Sequence, residues 1–80
     1  MQKALKRRNT MRKIEFAERL KALRQECCIT QSQLAEILKT TQRRISYLEQ
    51  GKVEPDLQFL WQTADYFDVS IDYLIGRKDT

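Results

Sequence analysis

Between Thr41 and Gln50 the chain reads Thr-Gln-Arg-Arg-Ile-Ser-Tyr-Leu-Glu-Gln, a concentration of guanidinium, amide, hydroxyl and aromatic groups. On a helix turning about 100° per residue, Ile45 and Leu48 mark one buried side. The opposite side then carries Arg43, Ser46, Tyr47 and Gln50, with Gln42 and Arg44 on its flanks. Such groups suit the reading of base edges in a DNA major groove. Arg pairs with guanine O6 and N7, and Gln with adenine N6 and N7, each good bidentate pair discriminating by roughly 1–3 kcal/mol. Taken without the motif, Arg43 and Arg44 read more readily as a solvated helix face; Tyr47 on an exposed face is odd for a purely structural role, although lone surface aromatics are common.

Other chemistries find little support. The chain has no His and only two Gly, so neither a phosphate-cradling glycine loop nor a metal constellation can be assembled. A Ser or Cys nucleophile would lack its usual base, which argues against an enzyme. Cys27 and Cys28 are neighbours in sequence, poorly placed to bridge each other, and are expected as buried or half-buried thiols of a reducing compartment. No cofactor and no metal are expected.

Eighty residues with 41% hydrophobic and 32% charged content suit one small folded domain. No apolar run approaches the ~20 residues of a membrane span, and the basic N-terminus lacks the apolar stretch of a signal peptide. A soluble, cytoplasmic chain is expected. The formal net charge of +4 is unevenly distributed: residues 1–13 hold six basic residues and no acid, whereas the rest holds nine basic and eleven acidic. A basic arm on a slightly acidic body suits a polyanion, of which nucleic acid is the commonest. The expected organisation is an arm at 1–13, a domain at 14–77 and a short tail at 78–80.

The elements that would position the polar helix follow from periodicity and caps. Phe16, Leu20, Leu23 and Cys27 recur at helical spacing, predicting a first helix over about Met11–Cys27, with Asn9 or Thr10 available to cap it. Thr30-Gln31-Ser32-Gln33 reads as a capping box opening a second helix to Leu38, with Leu34, Ala35 and Leu38 inward. Thr41 caps a third helix to about Gln50, stopped by Gly51. Asp56 caps a fourth, about Leu57–Phe67, whose expected apolar stripe is Leu57, Leu60, Trp61, Ala64 and Phe67. Ser70 caps a short fifth, Ile71–Ile75, ended by Gly76. No segment alternates at period two, so the fold class is all-α, a compact five-helix domain.

Two short helices joined by a three-residue turn, the second polar on one side, form a helix-turn-helix. The stretches Phe16–Arg24, Ile29–Leu38, Thr41–Lys52 with Pro55, and Val69–Gly76 closely resemble the phage repressor/Cro-like (XRE-type) helix-turn-helix family. The resemblance spans residues 14–77 and implies a lambda-repressor-like DNA-binding domain. It implies base-reading roles for Gln42, Arg43 and Tyr47, a phosphate contact for Gln31, and backbone contacts for Gln50 and Lys52. Arg44 joins the expected base readers, and Thr41 and Ser46 the backbone set. Arg24 and Glu49 match a partly buried salt bridge between the first and third helices. Ala35 matches the small residue that lets the second and third pack closely. The chain departs from the family at Cys28, Lys39 and Asp68, where Gly is usual; either left-handed strain is accepted there or the turns are remodelled.

The expected function is sequence-specific binding of double-stranded DNA and repression by occupancy, with the basic arm along the phosphates or in the minor groove. One small module reads few base pairs, so a homodimer on an inverted repeat is expected. Val69, Ile71, Tyr73, Leu74 and Ile75, on the fifth helix and its approach, are the expected dimer surface, with core closure as their alternative. A rival function from another class is a protein-interaction module, an antitoxin or adaptor, contacting its partner through Phe59, Tyr66 and Tyr73.

Overall fold

The computed structural model describes residues 14–79; the arm at 1–13 lies outside them. Five helices follow one another: α1 (Phe16–Glu26), α2 (Gln31–Ile37), α3 (Gln42–Glu49), α4 (Leu57–Phe67) and α5 (Ile71–Ile75), with no strand among the described residues. The all-α expectation and the order of elements hold. The helix expected from Met11 instead begins at Phe16, with Ile14 and Glu15 non-helical and Met11–Lys13 outside the described residues. Asn9 and Thr10 lie outside as well; the N-cap is Glu15, whose side chain makes no capping bond. The backbone N–H of Glu15 donates instead to Ile75 O on α5, at 3.3 Å.

The four downstream caps form as their residue types require, because the first N–H groups of a helix have no partner within it. Thr30 Oγ1 accepts from Gln33 N at 3.0 Å while Gln33 Oε1 accepts from Thr30 N at 2.8 Å, completing the capping box of α2. Thr41 accepts from Arg44 N at 3.1 Å, Asp56 from Phe59 N at 2.8 Å and Ser70 from Tyr73 N at 2.9 Å.

Leu20, Leu34, Ile45, Leu48 and Leu74 are fully buried at the centre, one or more from each of α1, α2, α3 and α5. α2 and α3 pack on each other with Ala35 nearly buried between them; α1 supports α3, and α5 closes the core against α1 and α4. At α4 the burial departs from expectation. Leu57 and Trp61 are 81% and 66% exposed, while Phe59, Leu60, Thr63 and Ala64 face inward. Two apolar stripes overlap on this helix, and the hydroxyl of Thr63 hides one of them. That hydroxyl donates to Phe59 O at 2.7 Å, so it is buried without an unmet hydrogen bond. Phe59 packs edge-on against Phe16, ring centroids 6.3 Å apart.

The departures from glycine do not remodel the turns. Cys28, Lys39 and Asp68 all take the left-handed conformation, with φ of 57°, 54° and 56°. Cys27 and Cys28 are free and exposed, contrary to the buried or half-buried expectation. The helical spacing that places Cys27 on the α1 stripe ends at Glu26, and the chain turns away before the thiol can enter the core.

Candidate nucleic-acid interface

The face of α3 is held from behind by a buried ion pair. Arg24 Nε and Nη2 donate to Glu49 Oε2 and Oε1 at 2.7 and 3.0 Å, a bidentate pair linking α1 to the end of α3. The Glu49 side chain is 2% exposed. The hydrogen bond to Glu49 holds the Arg24 guanidinium above its ordinary range, outweighing the desolvation that opposes it. Arg24 Nη1 also donates to Ile29 O at 2.9 Å, fixing the segment that leads into α2.

From this pair the order passes outward through two amides. Gln31 Nε2 donates to Glu49 Oε1 at 3.0 Å, and Gln31 Oε1 accepts from Gln42 Nε2 at 2.7 Å. A carboxylate can only accept, so it dictates which end of the Gln31 amide faces it. That in turn dictates the donor end of Gln42. The sequence indicated the Arg24–Glu49 match but not the amide bridge, because nothing in the spacing of Gln31, Gln42 and Glu49 reveals how closely α2 approaches α3.

Further along α3, Arg43 Nε lies 3.4 Å from the Tyr47 hydroxyl, with its guanidinium 5.6 Å from the ring centroid. Lys52 Nζ lies 5.7 Å from the same ring. Tyr47 is thus flanked by two cations, whose attraction to the ring face gathers positive charge on the exposed side of the helix. Gln50 Nε2 donates to Ser46 Oγ at 2.7 Å, tying two of the expected backbone contacts together. Thr41 has its hydroxyl engaged as the cap of α3 and its remaining surface exposed.

Arg44 is placed differently. Its Nη2 lies 3.8 Å from Asp56 Oδ2 and its guanidinium 5.0 Å over the Phe59 ring. It therefore reaches toward the N-terminus of α4, while still lining one groove with Thr41, Arg43 and Tyr47. Position on the helical wheel alone does not show these contacts, because the acid and the ring beside Arg44 arrive only when α4 packs.

The five residues expected as a dimer surface all pack on the core, and four of them keep part of their surface exposed. Leu74 is fully buried, and Val69, Ile71, Tyr73 and Ile75 are partly buried and packed against the core. Of the aromatics expected in a protein-interaction module, Phe59 is buried and Tyr73 is half-buried under the Arg19 guanidinium, 4.2 Å from its ring; Tyr66 is exposed. Among the described residues no three His, Cys, Asp or Glu side chains gather into a metal-binding group.

Comparison with known proteins agrees with this geometry. A family model described as "Helix-turn-helix" matches residues 20–74. The chain is 38% identical over 66 residues to the HTH-type transcriptional activator BcrR of Enterococcus faecalis, covering 82% of this chain and 32% of that protein. It is 32% identical over 66 residues to the HTH-type transcriptional regulator ImmR of Bacillus subtilis, covering 82% of this chain and 52% of that one. The chain thus spans about a third to a half of the length of these relatives. Among solved structures, a transcriptional regulator from Listeria innocua superposes with a TM-score of 0.77 at 37% identity, covering 81% of this chain and 61% of that one. The P22 c2 repressor in complex with a synthetic operator superposes with a TM-score of 0.73 at 27% identity, covering 79% and 96%. With the family model over residues 20–74 and a repressor fold matched over 79% of its length, the chain belongs to the phage repressor/Cro-like (XRE-type) helix-turn-helix family of transcriptional regulators.

Proposed function

We propose that this chain binds double-stranded DNA sequence-specifically, inserting α3 into the major groove, and regulates transcription as a homodimer on an inverted repeat. The observation that carries the reading is the braced face of α3. An amide oriented by a buried carboxylate stands beside an arginine and a tyrosine gathered at the exposed surface. Gln42, Arg43 and Tyr47 read bases in this proposal. Gln31, Thr41, Ser46, Gln50 and Lys52 face the phosphates, and the arm at 1–13 adds sequence-independent attraction. Arg44, which lines the same groove as Arg43 and Tyr47, joins them as a base reader, and in the free protein it also contacts Asp56 and Phe59 of the α4 end.

The mode is repression by occupancy in the cytoplasm, and no catalytic step is part of it. Proteins similar to this chain bear both signs, BcrR being named an activator and P22 c2 a repressor. The sign of regulation follows from where a bound protein sits relative to polymerase, whereas the reading face is common to both. No helix among the described residues is long and apolar enough to cross a membrane.

The test is selection from a random double-stranded DNA pool, run in parallel on the wild type and Arg43→Ala. The expected result is an inverted repeat with half-sites about one helical turn apart, and one base preference lost in the variant. No enriched motif in either pool would overturn the reading in favour of a protein-binding module.

A further inference from the structure

Resting on the DNA reading above, we infer that Asp56 is a specificity-determining residue acting through Arg44: it steadies the guanidinium for a base edge and cancels its charge toward phosphate. The two carboxylate oxygens of Asp56 have separate tasks. Oδ1 accepts from Phe59 N at 2.8 Å as the cap of α4, and Oδ2 lies 3.8 Å from Arg44 Nη2. The capping bond holds the carboxylate at the helix end, so Oδ2 stands at a set place beside α3.

The Phe59 ring adds a second restraint. The Arg44 guanidinium lies 5.0 Å from its centroid, and the ring is itself buried and packed edge-on against Phe16. A capped carboxylate and a buried ring thus hold one side of a planar fork that has further N–H donors to offer. Arg44 is also the one residue common to two grooves, one lined by Asp56 and Phe59 and the other by Thr41, Arg43 and Tyr47. At the divide between them, the guanidinium can keep its α4 contacts while presenting its remaining donors beside Arg43. That arrangement suits bidentate pairing with guanine O6 and N7.

Charge makes the two neighbouring arginines unequal. Among the described residues Arg43 is paired with no acid and leans on Tyr47, whereas Arg44 is paired with Asp56. Lys39 lines the groove of Asp56 without forming an ion pair with it. An arginine beside a carboxylate exerts little net attraction on a phosphate, which senses charge at a distance. It keeps the N–H geometry that a base edge senses at contact. The pair adds little stability, because its side chains are 38% and 68% exposed. Its consequence is selectivity: Asp56 lowers affinity for every sequence, and lowers it least where Arg44 meets its base.

Asp56→Asn removes the charge and keeps the cap, since Asn caps a helix as well as Asp does; Asp56→Ser is a second uncharged cap that guards against a defect peculiar to one variant. The experiment takes the full chain, these two variants, Arg44→Ala and the double variant Arg44→Ala/Asp56→Asn. Each is put through selection from a random double-stranded DNA pool, and its affinity for the selected site and for an unrelated duplex is measured. Thermal unfolding followed by circular dichroism should be unchanged in the Asp56 variants. Their binding to the unrelated duplex should tighten by about two- to fivefold. The guanine preference that Arg44→Ala abolishes should weaken in both, with every other position kept. In the Arg44→Ala background, Asp56→Asn should change no base preference and tighten binding less. A wild-type preference at that position in both Asp56 variants overturns the assignment and leaves the DNA reading standing. So does a gain in affinity as large in the Arg44→Ala background as in the wild type, which would be bare charge removal. No enriched motif with the wild type overturns the DNA reading, and the assignment with it.

Discussion

A charge buried beside its partner is worth little net stability, but removing the partner is expensive, and this asymmetry governs the centre of the site. Arg24→Met strands the Glu49 carboxylate, which is 2% exposed, and should cost about 3–5 kcal/mol in urea unfolding. Combining it with Glu49→Leu should recover most of that loss. The double variant nevertheless leaves the Gln31 amide without the carboxylate that orients it. Its DNA selection should show a weakened preference at the base facing Gln42 even where its stability is near that of the wild type. Gln31→Ala tests the same bridge from the other side: Gln42 loses its 2.7 Å partner, and operator affinity should fall about tenfold, roughly 1.4 kcal/mol, with little change in unfolding. Equal preferences in all these variants would mean that Gln42 is positioned by the groove and not by the protein.

Among the connections between elements, three left-handed residues are not glycine, and each carries strain that a glycine would relieve. Lys39→Gly, in the turn between α2 and α3, should raise stability by about 0.5–1 kcal/mol, the relief of strain exceeding the added freedom of the unfolded chain. In a domain of this size, thermal unfolding should then shift upward by several degrees. Gly76 is the converse case. Its φ is +90°, and an added Cβ would meet the side chain of Glu15 at 2.9–3.0 Å. Glu15 cannot simply swing aside, because its backbone N–H bonds to Ile75 O and its carboxylate to Arg19 at 3.0 Å. Gly76→Ala should therefore cost about 1–2 kcal/mol and loosen the start of α1; an unchanged melting curve would mean that this junction gives way freely.

For the molecule as a whole, attraction to DNA depends on where the charge lies, since the arm carries six basic residues and the remainder is slightly acidic. Each phosphate neutralised contributes a slope of about −0.9 to the fall of log affinity with log salt. Deleting residues 1–13 should flatten that slope by up to roughly 5 units while leaving the selected sequence unchanged. An unaltered slope would show that the arm makes no phosphate contacts.

Sequence alone determined the order of the helices, because caps and stops act locally: Thr30, Thr41, Asp56 and Ser70 each satisfy an N–H three residues away. It also determined the polar face of α3, since Ile45 and Leu48 fix the buried side of a helix whatever it packs against. The start of α1 was less legible, because no side chain caps it and its anchor, Ile75 O, lies on the last helix. Which of two overlapping stripes on α4 enters the core, which acid and ring Arg44 meets, and how Glu49 reaches Gln42 through Gln31 were decided only by tertiary structure. In each case the deciding partner comes from another helix. Burial and hydrogen bonding depend on distance in space, and a pattern along one helix records only the distances within it.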